Sequence, residues 1–257
     1  LCYNYHMKTQ HYIFLSPHFD DIALSCGGLV WDLAQKGHTI EVWTIMGGLP
    51  TSQSFTPFAQ EMHQQWGMPA DKIVETRRAE DRSACEVMGA TPRHFNWQDA
   101  IYPTDPATDE PLVTNDQELM GSAPEADIVR QISEMIREQL PVGAKLVSPV
   151  SLGNHIDHRA VRQAAEQSGR IDFYYADYPY ILHTFDDSRL WDKTISQRPL
   201  SLGEPALQHW QEAVMSYTSQ LSMFWHDETE ARLAIRNYLA GGGGRLWVKT
   251  EHIRIFR

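Results

Sequence analysis

The sequence predicts an α/β fold, a largely parallel sheet with helices on both faces, and three observations lead to it. Short apolar runs alternate with stretches of helical periodicity over the first two thirds of the chain. Two motifs rich in histidine and aspartate each follow one of these runs, at the strand ends where open parallel sheets bind their ligands. With 257 residues, 42% of them hydrophobic and 21% charged, the chain has the material for a sizeable core and fits one domain.

The elements follow in order. Tyr12–Ser16 is a short apolar strand, and Leu24–Lys36 carries Leu24, Leu29 and Leu33 at helical spacing before Gly37, a C-cap residue. Ile40–Met46 is β-branched and apolar, a second strand broken by Gly47-Gly48. A helix is expected within Pro57–Trp66 and a longer one from Lys72 to Met88, stopped by Gly89. Arg93–Asn96 reads as a third strand. Glu125–Gln139 places Ile128, Ile132, Met135 and Ile136 on one helical face. Lys145–Ser148 is the next strand, His158–Ser168 a helix and Asp172–Ala176 a strand. In the less regular last third, Thr194–Leu200 reads as an added strand, Glu204–Trp225 as one amphipathic helix and Leu246–Phe256 as a terminal strand. Gly241–Gly244 is a flexible connector and not a phosphate loop, because no Gly-Lys-Ser/Thr follows and no strand feeds it. Gly47–Pro57 and Trp97–Pro124 are long enough to be functional lids.

A single domain is expected over 7–257, with Leu1–His6 an extension or cloning remnant ahead of Met7. Leu1–Gln10 lacks the succession of a charged region and an apolar stretch that marks a signal peptide. No apolar run approaches the ~20 residues of a membrane span. The formal net charge of −11 disfavours nucleic acid or an anionic membrane as the main partner, since phosphate binding needs a basic face. Cys2, Cys26 and Cys85 form no CxxC pair, which argues against a thiolate metal site and fits a reducing, cytoplasmic setting. Cys85 sits in a helical pattern and reads as a small core residue. The sequence is compatible with a homo-oligomer and does not fix its order.

The chemistry is concentrated in His18-Phe19-Asp20-Asp21 and Asn154-His155-Ile156-Asp157-His158. Together they suggest one metal site made from two distant pieces of sequence, and three protein ligands with an open position make such a site catalytic. A turn can aim His18 and Asp21 at one point and leave Asp20 beside it. One carboxylate would then hold the cation while the other takes a proton from a bound water. Taken alone, Asp20 and Asp21 also suit the N-cap and first turn of the following helix, but that leaves His18 unexplained. In the second motif His155 reaches in from the loop and His158 from the first helical turn, and Asp157 is placed to orient a histidine through its ring N–H.

The two motifs resemble those of the PIG-L / LmbE-like zinc-dependent deacetylases, a His-Pro-Asp-Asp after the first strand and a His-x-Asp-His after a later one. Ser25-Cys26-Gly27-Gly28, Arg77-Arg78-Ala79-Glu80 with Met88-Gly89-Ala90, Asp99 and Tyr217-Thr218-Ser219-Gln220 are similar to further family segments in the same order. Phe19 departs from the family's proline, and the segments Met46–Trp66 and Trp97–Pro124 match nothing in it. The resemblance implies a Rossmann-like fold with one Zn²⁺ per chain on His18, Asp21 and His158. It implies Asp20 as general base and His155, oriented by Asp157, as general acid or oxyanion stabiliser. Arg77 and Asp99 would contact the substrate.

The expected activity is therefore hydrolysis of an N-acyl group, most often acetyl, from a small-molecule amino sugar or glycoconjugate by a zinc-activated water. Two His and one Asp favour zinc over calcium or magnesium, with ligand distances of ~2.0–2.2 Å. The Asp157 carboxylate is expected to favour the protonated form of His155, so that His155 sets the alkaline limb of a bell-shaped pH profile. Trp66, Trp97, Tyr102, Tyr178 and Tyr180 either stack on a sugar ring or pack as ordinary amphipathic aromatics. The alternatives are an amide hydrolase acting on a non-sugar amine or thiol conjugate, and a non-catalytic carbohydrate-binding protein on the same fold. The second is disfavoured because Asp20 and every ligand position are intact.

Overall fold

The structure is a computed structural model that describes residues 9–51, 55–68, 70–105, 107–184, 195–198 and 200–249. Its elements run β1 (His11–Ser16), α1 (Asp21–Gln35), β2 (Thr39–Thr44), α2 (Pro57–Gln65), α3 (Ala70–Met88), β3 (Thr91–His94), α4 (Asp116–Gly121) and α5 (Ala126–Gln139). Then come β4 (Lys145–Pro149), α6 (Ile156–Ser168), β5 (Ile171–Tyr175), α7 (Ile181–Thr184), β6 (Ile195–Gln197), α8 (Glu204–Met215), α9 (Leu221–Phe224), α10 (Glu228–Ala240) and β7 (Leu246–Lys249). Among the described residues the strands form one sheet in the order β3-β2-β1-β4-β5-β7-β6. β1 to β5 are parallel, and β7 runs antiparallel to both β5 and β6.

β1 lies in the middle of the five parallel strands and is buried on both faces, which is why it reads as an unbroken apolar run. Side chains alternate across the pleat. Ile13 and Leu15 join Val129, Ile132 and Ile136 of α5 and Val161 of α6 in one core layer. Phe14 points the other way, into the layer of α1, α3 and α8. From β1 the chain order moves outward to β2 and β3 on one side and returns through β4 to β5 on the other. The carboxyl ends of β1 and β4 therefore flank the switch point where a doubly wound sheet opens a crevice.

α1 and α8 pack closely because α1 carries a glycine pair. A Cβ on Gly28 would lie 2.8 Å from Trp210 Cε3 and 3.1 Å from Leu202 Cδ1. α1 is kinked at Cys26 (φ −155°, ψ 25°), and the Trp210 indole N–H donates to the Ala23 carbonyl one turn earlier. Trp210 is fully buried and has no room to retreat. Gly28→Val is expected to destabilise the protein by about 1–3 kcal/mol through overpacking, read from the midpoint of urea unfolding.

Elements of the first two thirds occur where expected, within a few residues at their ends. Four differences follow the chain. The loop 97–124 contains α4, opened by Asn115, whose side chain accepts the Glu118 N–H at 2.9 Å. The helix expected over Glu204–Trp225 ends at Met215. Glu80 of α3 accepts from Thr218 Oγ1 (2.8 Å), the Ser219 N–H (2.8 Å) and Ser219 Oγ (2.6 Å), and Tyr217 OH donates to Asp81 at 2.7 Å. The bond to the Ser219 N–H takes up a backbone donor that would otherwise continue the helix, and the three hydroxyl bonds fix the turn against α3. α10 fills a stretch for which the sequence reading assigned no element, with Asp227 capping the Glu230 N–H and Ala231, Ile235 and Tyr238 buried on one face. β6 stops at Gln197, so Arg198 and Leu200 of the expected Thr194–Leu200 are not strand, and β7 fills the described part of Leu246–Phe256; residues 194, 199 and 250–256 lie outside the described residues, as do Leu1–His6 and Cys2. Cys26 and Cys85 are buried free thiols, and no described helix is long and apolar enough to cross a membrane.

Candidate active site

His18 follows β1 by two residues, and His155 and His158 open α6 after β4, so the fold brings both motifs to one crevice. The His18 backbone N–H donates to Asp21 Oδ2 at 2.7 Å, which folds the first motif back on itself. His18 Nδ1 lies 3.5 Å from Asp21 Oδ2, and its Nε2 lies 3.0 Å from Asp157 Oδ2. His158 mirrors this arrangement: Nε2 is 3.4 Å from Asp21 Oδ1 and Nδ1 is 2.7 Å from Asp177 Oδ1. Each histidine thus has one ring nitrogen fixed by a buried carboxylate and the other turned to Asp21. The two carboxylates are themselves held, Asp157 by the Ala100 N–H and Asp177 by the Leu152 N–H, both at 3.0 Å.

This donor set fits a tetrahedral cation. One nitrogen or oxygen from each of His18, Asp21 and His158 lies within 4.8 Å of the others. The two shortest separations match the about 3.4 Å expected between neighbouring ligands at 2.0–2.2 Å from a tetrahedral ion. A second grouping, His18, His155 and Asp157, meets the same distance test. There the His155 Nδ1 accepts the Asp157 backbone N–H (3.2 Å), and Asp157 Oδ2 accepts the Ala100 N–H as well as facing His18. With Nδ1 an acceptor, neutral His155 carries its proton on Nε2 and offers a donor to the crevice. The loop that delivers it is tightly wound, with Ser151 (φ 65°), Gly153 (φ 82°) and Asn154 (φ 63°) left-handed. A Cβ at Gly153 would strike the Tyr180 ring at 2.3 Å.

Asp20 stands beside the cluster with Oδ1 3.3 Å from Arg77 Nη2. The Arg77 guanidinium is sandwiched between Phe19 and Trp66, 5.5 and 5.4 Å from their ring centres. Burial raises the Asp20 carboxyl above its ordinary value; Arg77 opposes and Asp21 reinforces the shift. Asp21 goes the other way: burial would raise it, but His158 and His18 hold it well below the carboxylate range. Burial opposes a charge on His18 and on His158, yet Asp157 and Asp21 raise the first and Asp21 and Asp177 the second. Protons therefore compete with a cation, and metal uptake is expected to weaken as pH falls through these raised values. His155 departs from expectation. Burial and the neighbouring His18 and His158 outweigh the Asp157 carboxylate and push it down to about 3, leaving a neutral ring.

The crevice is a cavity of about 280 Å³ that brings together His18, Asp20, Asp21, Arg77, Asp99, His155 and His158. Asp99 Oδ2 is 3.8 Å from His18 Nε2. Asp157, rather than orienting His155, gives that ring its backbone N–H and its carboxylate to His18. Trp66, Tyr178 and Tyr180 line the cavity, whereas Trp97 lies on a separate surface groove and Tyr102 bonds to His63. Phe19 fills the family's proline position by packing edge-on against His94. Asp177 escaped the sequence reading, although it follows β5 at the same sheet end as the two motifs. Asp177→Asn is expected to lower metal affinity about 10–100-fold, measured by metal titration, because it removes the group that orients His158.

A Rossmann-like sheet with a buried His-Asp-His cluster and a neighbouring carboxylate at its switch point defines a hydrolase of the metal-dependent kind. The chain matches the family model PIG-L, GlcNAc-PI de-N-acetylase, over residues 13–168, and it belongs to that family. It is 29% identical to the 2'-N-acetylparomamine deacetylase of Niallia circulans over 188 residues, 66% of this chain and 67% of the relative. The enzyme of the same name from Streptomyces fradiae is 31% identical over 183 residues, 68% of this chain and 59% of the relative. Among solved structures, the zinc-inhibited form of teicoplanin deacetylase superposes with a TM-score of 0.73 at 26% identity, over 93% of this chain and 97% of that one. By its family and relatives the protein is an N-deacetylase.

Proposed function

We propose that the protein removes the N-acetyl group from an amino sugar carried on a small-molecule conjugate, with zinc as its metal. The observation that supports this most is the matched pair of histidines, each backed by a buried carboxylate and both facing Asp21, with Asp20 alongside. His18, Asp21 and His158 would hold the ion, and imidazole donors favour zinc over calcium or magnesium. When bound, it supplies Lewis-acid activation of a water and of the amide carbonyl.

The chain does the rest. Arg77 engages Asp20 at Oδ1, which leaves Oδ2 to take a proton from the attacking water. His155 donates its Nε2–H to the carbonyl oxygen as charge develops there. The C–N bond breaks, the proton held on Asp20 passes to the departing nitrogen, and acetate and a free amine result. Asp99 lies at the cavity wall as an acceptor for a sugar hydroxyl. Asp157 and Asp177 position the two ligand histidines. Acetate release by the zinc-loaded protein, measured on N-acetylhexosaminides and on acetylated non-sugar amines, tests the reading. Release from the sugars is expected; release only from non-sugar amides, or none, overturns it.

A further inference from the structure

The catalytic cavity, at about 280 Å³, is smaller than a site for a drug-sized ligand and suits one sugar ring. Whatever the sugar is attached to must lie outside it. Tyr178, Pro179, Met223 and Phe224 form one wall of that cavity, and the same four residues line a second groove of about 520 Å³. The far side of this groove is Leu182 of α7 and Leu233 of α10. Six large apolar side chains are exposed among the described residues, and three of them meet here: Leu182 (49%), Met223 (39%) and Leu233 (55%). Exposed apolar residues scattered singly mean little, but a cluster continuous with a binding cavity marks a recognition surface. Among the described residues the groove has Glu230 and His183 in its lining and no lysine or arginine. Arg77, the cation of the adjoining cavity, is committed to Asp20. Among the described residues a phosphorylated attachment would meet a carboxylate there and no lysine or arginine.

We propose that this groove is an aglycone subsite, and that the substrate is an N-acetylamino sugar joined to an uncharged apolar group which crosses Met223 and Phe224 to lie against Leu182 and Leu233. The inference rests on the N-deacetylase reading of the adjoining cavity. Burial of methylenes in such a groove raises kcat/KM by about 2–4-fold each until the groove is full.

The test uses β-alkyl glycosides of N-acetylglucosamine, methyl through octyl, with the zinc-loaded full chain. The expected result is a stepwise rise of kcat/KM with chain length. Leu233→Asp should flatten that rise while leaving the methyl glycoside rate unchanged, since Leu233 touches no catalytic group. A second readout is independent of turnover. Quenching of Trp225, which lines the groove, should report octyl glycoside binding to the metal-free protein at least ten-fold tighter than methyl glycoside, and Leu233→Asp should abolish the difference. Turnover that is independent of chain length, with the methyl glycoside hydrolysed, overturns the subsite and spares the deacetylase reading. Tight octyl binding without hydrolysis of any sugar does the reverse. Equal binding of both glycosides, with a dimer that Leu233→Asp dissociates, assigns the groove to a second copy of this chain and overturns the proposal.

Discussion

Asp20→Asn is expected to keep its metal and to lose turnover by about 10²–10⁴. Asp20 is not one of the three groups whose donor atoms converge, so the cation keeps His18, Asp21 and His158. The substitution removes only the oxygen that takes the proton. Its side effect is on the fold: Arg77 is buried and loses a charged partner. Breaking a buried ion pair costs at most about 3–5 kcal/mol, so thermal unfolding has to be followed beside activity. His18→Ala is the contrast, because it removes a ligand and should strip the metal. Metal content by mass spectrometry and kcat, measured on both variants, separate the two roles. If Asp20→Asn loses metal as completely as His18→Ala, the division of labour between Asp20 and Asp21 is wrong.

His155→Ala should also retain metal, and it should lower kcat by about 10²–10³, the usual cost of one oxyanion donor. Its pH dependence is the sharper measurement. The ring is held neutral, with a value near 3 set first by burial and then by His18 and His158. It therefore does not change charge between pH 5 and 9, and it contributes no limb to a profile in that range. The variant should show the wild-type profile at reduced height. A lost alkaline limb would restore the acid role that the neighbouring Asp157 suggests from sequence. The sign differs because a carboxylate adjacent in sequence is not the strongest influence on a ring buried among two other histidines.

The parts of this fold most legible in the sequence were those with a short-range cause. β1 and β4 are apolar runs buried on both faces, and α5 carries its hydrophobic face at helical spacing, so their positions follow from pattern alone. The motifs at strand ends could be joined into one site because parallel sheets put their ligand crevice there. What escaped has long-range causes. The break after Met215 depends on Glu80 and Asp81, more than a hundred residues earlier. Asp177 lies outside both motifs, 19 residues from His158, and the adjacency of β4 and β5 brings the two together. The apolar wall of Met223 and Phe224 belongs to α9, whose orientation follows from that same break.

Glu80 and Asp81 are buried side by side on the helix that also carries Arg77. His94 answers one oxygen of Asp81; Tyr217, Thr218 and Ser219 answer the remaining one and both of Glu80. The two acids are thus tolerable only once the last third of the chain has arrived. The family-matched segment, which ends at Ser168, is in this sense not a module. Cut there, it would present two adjacent acids stripped of most of their donors on the helix that aligns Asp20, and a His158 with no Asp177. The catalytic centre thus leans on the turn Tyr217–Ser219, which lies outside the His-Asp-His cluster.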